Sequence, residues 1–146
     1  SHYQVFEMGF SVDIVPDVLL KEFYPIHTSP VWIGMVRLVD AESALKMMCW
    51  PDAENHISIK VVDDCCEWNN AVFEVCFGNG KSDVSRVEKE ADITVDIRTL
   101  VRLMLGEFDI TQLTLSMLPG LEIHTDNLQL LKDVFPKKQM VLNDRF

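Results

Sequence analysis

The side chains that could ligate a metal or act as nucleophiles are dispersed along this sequence without motif spacing. No two of its four cysteines form a C-x-x-C pair; they are Cys49, Cys65, Cys66 and Cys76. Zinc-binding and thioredoxin-type chemistry both depend on that spacing. The chain is long enough to fold without disulfides, so we expect reduced thiols that lie mostly in the core.

The histidines and the acid pairs do not form a recognisable site either. The spacings H-x-x-x-H and H-E-x-x-H are absent among His2, His27, His56 and His124. We therefore predict surface or loop positions for the histidines and no metal site. Adjacent residues of an extended chain point to opposite faces, so Asp63 and Asp64 do not share a site, and solvation at a strand end explains them better.

Loops that bind phosphate or present a nucleophile are not found. The sequence has no G-x-G-x-x-G, no Walker loop and no G-x-S-x-G. Gly78-Asn79-Gly80 is typical of a hairpin turn, since these residues tolerate positive φ. Trp68-Asn69-Asn70 predicts a second loop, in which Trp68 either packs on a sheet edge or lies at a pocket or an interface.

The elements that position these side chains begin with a short strand and a helix. The apolar run Met35–Val39 predicts a strand, and Asp40 is a plausible N-cap. Apolar residues then recur at helical spacing at Ala41, Ala44, Leu45 and Met48. Pro51 ends this helix.

The middle of the chain has the period of strands, and the rest has the period of helices. An antiparallel meander of four strands is predicted at residues 57–62, 71–77, 83–88 and 92–97. A helix follows, with Leu100, Leu103 and Met104 on one face and Gly106 after its end. Two more helices are predicted, one from Asp109 to Leu118 and one capped by Thr125 or Asp126 and ended by Pro136. The fold class is therefore α+β.

Composition and charge limit the partners. A chain of 146 residues suits one domain, and its formal net charge is −10. Residues 51–96 hold 11 acids against 4 bases. Because no basic stripe is present, we expect neither nucleic acid nor an anionic membrane as a partner. No signal peptide and no apolar run of spanning length is seen, which favours the cytoplasm.

The start of the chain suggests a fragment of a longer protein. It begins Ser1-His2 rather than with Met, as a cleaved tag would leave it. Residues 1–34 are predicted to be a connecting segment or part of the same domain, and residues 35–146 to be the main domain.

Several motifs, taken in order, resemble the C-terminal domain of Eis-type acetyltransferases. Residues 35–40 resemble the M-x-R-x-x-D segment that opens that domain. The strand ending at Asp63, with Trp68-Asn69 and Phe73 after it, is similar to its next block. Two later blocks match at Ala91-Asp92, Leu100, Leu103 and Gly106, and at Leu128, Leu131 and Phe135-Pro136. The resemblance covers residues 35–146.

The resemblance implies a sterol carrier protein-like fold, with a mixed or antiparallel sheet of about five strands and helices mainly on one face. It implies that two GNAT-type acetyltransferase domains precede this one in the parent enzyme. That enzyme would move an acetyl group from acetyl-CoA to an amine and assemble as a homo-oligomer. The family's acetyl-CoA loop lies in the upstream domains, so no cofactor site is expected in this chain.

One catalytic group is implied by the resemblance. In this family the terminal α-carboxylate is proposed to help remove the amine proton, which here means the carboxylate of Phe146. An α-carboxyl titrates near ~3.3–3.7 and is a weak base at neutral pH. Burial against an apolar wall would raise that pKa, whereas Arg145 would oppose the rise. Arg37 and Trp68, from the matched motifs, are assigned to contacts with substrate or with an interface.

Two other functions fit the sequence. A free-standing carrier of lipid or another small apolar ligand would need a cavity between sheet and helices. Adaptable methionines could line it, namely Met35, Met47, Met48, Met104 and Met117, although they suit an ordinary core equally well. A purely structural oligomerisation module is the third possibility.

Overall fold

A computed structural model of the chain describes residues 36–107, 110 and 119–138, all within one compact unit, Val36–Lys138. A mixed sheet and three helices make up this part of the chain. In chain order the elements are α1 (Ala41–Met47), β1 (Asn55–Val62), a 3-10 turn (Glu67–Asn69), β2 (Ala71–Gly78), β3 (Lys81–Val87), β4 (Ile93–Asp96), α2 (Ile97–Met104), β5 (Leu121–Ile123) and α3 (Leu128–Val134).

Helix α1 begins where the sequence predicts. The Asp40 carboxylate accepts a hydrogen bond from Ser43 N at 3.0 Å, which satisfies one of the free N–H groups of the first turn. Ala41 and Leu45 are fully buried. The strand predicted at Met35–Val39 is wrong for residues 36–39, which are irregular. The carbonyl of Val39 accepts bonds from side chains of a distant loop instead of from a neighbouring strand.

Three strands form the predicted antiparallel meander. Strand β1 pairs with β2, and β2 pairs with β3. The β2–β3 connection is the two-residue turn Asn79-Gly80, whose φ angles of 51° and 72° are both positive. A tight hairpin turn of type I′ requires positive φ at both central residues, and this confirms the role predicted for the glycine-rich segment.

The fourth strand departs from the meander. The sheet order is β3-β2-β1-β4-β5, so β4 lies on the far side of β1 and pairs with it in parallel, Ile59 opposite Ile93. Strand β5, which was not predicted, pairs with β4 in antiparallel fashion. The alternation of apolar and polar residues along β4 correctly predicted which of its faces is buried. It could not predict the partner strand, because the same alternation fits any neighbour in the sheet.

The helices cover the apolar face of the sheet. Helix α2 is capped by Asp96 and ends in a Schellman motif, where Glu107 N and Gly106 N bond to the carbonyls of Arg102 and Leu103. Gly106 therefore has the predicted role. The cap of α3 is Asn127 rather than Thr125 or Asp126, since its side chain accepts from Leu130 N. The helix predicted from Asp109 to Leu118 lies almost wholly outside the described residues.

One hydrophobic core joins the two layers. Strand residues of alternating position, Ile57, Ile59, Val61, Phe73, Val75, Ile93 and Val95, pack with helix residues Leu45, Leu100, Leu103 and Leu131 and with Phe135. The five-strand mixed sheet with helices on one face confirms the predicted α+β fold.

Candidate functional site

Two of the three predicted site residues lie on neighbouring segments. Arg37 belongs to the segment before α1, and Trp68 belongs to the loop between β1 and β2, residues 63–70, here called the Asp63 loop. The Trp68 indole Nε1 donates to the Val39 carbonyl at 2.9 Å. Phe146 lies outside the described residues, so its role stays a prediction.

A buried carboxylate organises the Asp63 loop. Oδ1 of Asp63 accepts from Cys65 N at 2.9 Å and from Cys66 N at 3.2 Å. Its other oxygen accepts from Asn69 Nδ2 at 2.9 Å. The side chain of Asn70 completes the loop, since it accepts from Asp63 N and donates to the Asp63 carbonyl. These bonds hold the loop in one conformation as it leaves β1.

Asp63 is therefore not a solvated strand end as the sequence suggested. It is 4% exposed, whereas its neighbour Asp64 is exposed. The hydrogen bond from Asn69 lowers the pKa of Asp63 most, followed by the bond from Cys65 N, while burial acts in the opposite direction. The carboxylate is stabilised in its charged form by donors of its own loop.

Asn69 connects the loop to helix α1. Its Oδ1 accepts from Ala41 N at 2.9 Å, so it satisfies a backbone group in the first turn of the helix. Its Nδ2 donates to the Val39 carbonyl at 3.1 Å as well as to Asp63. From the sequence, Asn69 had a place in a loop and in a matched motif, but no structural role. The one available signal was an Asp directly after one strand and two Asn residues directly before the next.

The indole nitrogen of Trp68 is hydrogen-bonded, whereas more than half of the side chain is exposed to solvent. The side chain is 55% exposed, and Val39, whose carbonyl it contacts, is 60% exposed. The sequence predicted that Trp68 either packs on a sheet edge or lies at a pocket or an interface, and more than half of its side chain is open to solvent. Val39 and Trp68 are neighbouring exposed apolar residues, here called the Trp68 surface. A rigid indole with an anchored N–H is the kind of side chain that dominates protein interfaces.

Arg37 faces sulfur. Its Nη2 donates to Cys66 Sγ at 3.4 Å. Hydrogen bonds with Cys65, then with Cys66, raise the pKa of Arg37. The expectation of core cysteines is wrong, because Cys49, Cys65 and Cys76 are exposed and only Cys66 is buried. None of the four thiols is joined to another in a disulfide. Their exposure follows from their positions: Cys49 follows α1, Cys65 is in a loop, and Cys76 is on the outward face of β2.

The described residues hold no metal cluster, and each of their three α-helices begins at a side-chain cap. Within these ranges no group of three or more His, Cys, Asp or Glu side chains converges on a point. A helix N-terminus can bind phosphate groups through its free N–H groups. Here α1, α2 and α3 are each capped by a side chain of the chain itself: Asp40, Asp96 and Asn127. The two carboxylate caps would also repel phosphate.

Among the described residues, the side chains between the sheet and the helices are closely packed. Ile59, Phe73 and Leu100 have no exposed surface, and Phe135 is 1% exposed. A cavity wide enough for an acyl chain would leave accessible surface on its lining side chains. Of the methionines considered as lining, Met47 is 83% exposed, and Met48 and Met104 pack at the border of the core. Met35 and Met117 lie outside the described residues.

Helices of the described ranges fall short of a membrane span, since none combines the required length with enough apolar residues.

Comparisons with known proteins identify the fold. Residues 41–143, more than half of the chain, match the model of the sterol carrier protein domain family. A search of curated proteins finds no match. Among solved structures, a GCN5-related N-acetyltransferase (GNAT) from Anabaena variabilis is 27% identical with a TM-score of 0.61, over 70% of this chain and 26% of that one.

Two further structures are similar in fold. A protein from Enterococcus faecalis described as a probable N-acyltransferase has a TM-score of 0.66 at 22% identity, over 75% of this chain and 28% of its own. Eis1 from Mycobacterium abscessus has a TM-score of 0.59 at 24% identity, over 73% and 26%. The chain thus spans about a quarter of the length of these relatives. The predicted resemblance is confirmed for family and fold.

Proposed function

Because this chain belongs to the sterol carrier protein domain family, we propose that it is the C-terminal accessory domain of an Eis-like, acetyl-CoA-dependent N-acetyltransferase of the cytoplasm. The similarity to the Anabaena N-acetyltransferase carries this proposal, since the match covers most of this chain but only 26% of that enzyme. The remainder of such an enzyme would hold the GNAT domains that bind acetyl-CoA and the amine.

The side-chain caps of the described helices support the assignment of acetyl-CoA binding to the upstream domains. At each helix a side-chain cap, Asp40, Asp96 or Asn127, accepts from one or two N-terminal N–H groups, and the two carboxylate caps disfavour an approaching diphosphate. Acetyl-CoA, when bound to the upstream domains, supplies the activated acetyl group. This chain contributes contacts and, at its last residue, a carboxylate.

The Trp68 surface is proposed to contact the acetyltransferase region of the same polypeptide or another subunit of the homo-oligomer. Val39 places part of it on the segment just before α1. Burial of Trp68 and Val39 would remove surface that is costly to leave in water. Arg37, exposed beside this surface, is assigned to the same interface or to the substrate.

The Phe146 carboxylate is proposed to take a proton from the acceptor amine. Only the neutral amine can attack the acetyl carbon, and a protein base raises the rate by roughly 10²–10⁴-fold. A carboxylate that titrates near ~3.3–3.7 in water needs an apolar setting for this task. The phenyl ring of Phe146 itself can provide part of that setting.

A carrier of lipid or another small apolar ligand is the alternative. The close packing around Phe73 and Phe135 supports the accessory role instead, since a carrier needs space between its layers.

The carboxylate role is tested by moving that group in the complete enzyme. Deletion of Phe146 transfers the terminus to Arg145 and is expected to lower kcat at least ~100-fold, as expected for loss of a general base. One glycine appended after Phe146 displaces the carboxylate and should have a similar effect. The control Phe146→Leu keeps the carboxylate in place and should retain most activity. Turnover that is unchanged in the deletion and the extension would exclude this role.

A further inference from the structure

The backbone of Lys138, where the described part of the chain ends, is bound to the end of helix α2. Lys138 N donates to the Gly106 carbonyl at 2.9 Å. Gly106 is buried and has φ +74°, and its own N–H bonds to the Leu103 carbonyl in the Schellman motif. One glycine therefore ends α2 and also receives a backbone segment from much later in the sequence.

The contact leaves no room for a side chain at position 106. A Cβ at Gly106 would lie 2.7 Å from both Lys138 N and Lys138 Cβ. Because one of these atoms is a backbone nitrogen, a change of side-chain rotamer cannot relieve the clash. A larger residue at position 106 would therefore displace the backbone at Lys138 and disrupt its hydrogen bond.

The segment that reaches Gly106 is short and exposed. Helix α3 ends at Val134, and Phe135 is held in the core with 1% of its surface exposed. Pro136 cannot continue the helix, and residues 136–138 are exposed. Since these residues are not held by burial, the bond to Gly106 determines where the backbone of Lys138 lies.

This contact precedes the tail that carries the terminal carboxylate. Eight residues, 139–146, follow Lys138, and they span at most about 26–29 Å when fully extended. We propose that Gly106 is a positioning residue for acetyl transfer, because its contact with Lys138 sets the origin of the tail and so limits where the Phe146 carboxylate can lie. This inference rests on the proposed role of that carboxylate.

The cost of losing the contact follows from the geometry of proton transfer. Without it, the tail would start from Phe135, and its eleven residues, 136–146, would span up to about 36–40 Å. A general base must lie within about 2.6–3.2 Å of the atom whose proton it removes. A displacement of about 1 Å at a catalytic group can cost roughly 100-fold in rate. A wider range of tail positions should therefore slow the reaction.

Hydrogen exchange of the Lys138 amide, followed by NMR in this chain, tests the contact itself. The wild-type amide should be protected, and Gly106→Ala should speed its exchange at least about tenfold through loss of the bond. Gly80→Ala is the matched control, since Gly80 has φ +72° and a Cβ there meets nothing within 4 Å. It should leave this exchange unchanged. A wild-type Lys138 amide that exchanges like a free peptide would overturn the inference.

Turnover of the complete enzyme tests the consequence. Gly106→Ala should lower kcat about tenfold, less than deletion of Phe146, because the carboxylate is displaced but still present. The KM for acetyl-CoA should change little, and Gly80→Ala should keep wild-type turnover. Lys138→Pro removes the donor N–H without altering the end of α2, so it should reproduce the effect of Gly106→Ala.

A double variant separates positioning from a general loss of stability. If Gly106 acts through the carboxylate, Gly106→Ala should lower kcat no further in an enzyme from which Phe146 has been deleted. An equal fall in both backgrounds would overturn the inference, as would unchanged turnover of Gly106→Ala in an enzyme that the deletion slows. If the deletion itself leaves turnover unchanged, the proposed role of Phe146 fails and this inference fails with it.

Discussion

Single side chains, above all Asp63 and Asn69, connect parts of the chain that are far apart in sequence. Asn69 bonds to Ala41 N and to the Val39 carbonyl, 28 and 30 residues away. Asp63 in turn orients Asn69. A buried amide or carboxylate left without its partner is destabilising, so this network specifies where the segment before α1 must lie. It positions the Trp68 surface and Arg37.

The Asp63 carboxylate makes a pH-dependent contribution to stability. Because hydrogen bonds lower its pKa in the folded state, the contribution is present above the unfolded pKa, near ~3.9, and is lost as the pH falls through the folded value. Asp63→Asn should remove this part of the acid sensitivity. It should also lower stability at pH 7, because one of its amide hydrogens would face donors.

The measurement is the free energy of unfolding from denaturant titrations at pH 7 and at several values below 4. Asp64→Asn is the matched control, since Asp64 is adjacent and exposed, and it should change stability little. If the free energy of unfolding fell by the same amount on acidification in the wild type and in Asp63→Asn, the proposed role of Asp63 would be wrong.

This network could not be predicted from the sequence. Spacing along the chain shows which residues share a face of a helix or strand, but side-chain bonds across 30 residues depend on how the elements meet. The same applies to the exposure of Cys65 and of Trp68, because loop conformation decides it.

At the scale of elements, β4, α2 and β5 meet in a closely packed junction. Asp96 ends β4 and caps α2 through Arg98 N and Thr99 N at 2.8 and 2.9 Å. Its backbone N also donates to the Gly120 carbonyl at 2.8 Å. Gly120 has φ +82°, and a Cβ there would lie 1.7 Å from Asp96 Oδ2. Only glycine lets β5 approach this cap so closely.

Gly120→Ala is expected to displace the Asp96 carboxylate and weaken the start of α2. Gly80→Ala is the matched control, because Gly80 also has positive φ, +72°, but a Cβ there meets nothing within 4 Å. The control should cost only the left-handed strain of about 1–2 kcal/mol. Gly120→Ala should lower the free energy of unfolding by at least about 1 kcal/mol more through loss of the cap. Equal destabilisation in thermal unfolding would contradict the close contact.

Local signals predicted most of these elements. Asp40, the Asn79-Gly80 turn and Gly106 were assigned correctly because caps and turns depend on conformations that few residues adopt. The partner of β4 was missed, since Ile93 and Val95 are apolar whichever strand they join. The three residues of β5 are too few to show a period.

At the scale of the whole molecule, the chain is a domain of the kind that relatives carry within a longer polypeptide. Seventy per cent of this chain corresponds to 26% of the Anabaena enzyme, which is therefore about 2.7 times as long. The ordered motifs made family and fold predictable from the sequence. The catalytic part of the account depends on domains outside this chain and on Phe146.

The intact mass of the native polypeptide in its source cells tests that account most directly. A parent acetyltransferase of the relatives' proportions predicts about 45 kDa, or 2.7 times the 16.7 kDa of this chain, with residues 36–138 in its C-terminal part. Peptide mapping of the same species would establish that position. A native species near 16.7 kDa would contradict the proposal, because the domain would then act without acetyltransferase domains in its own polypeptide.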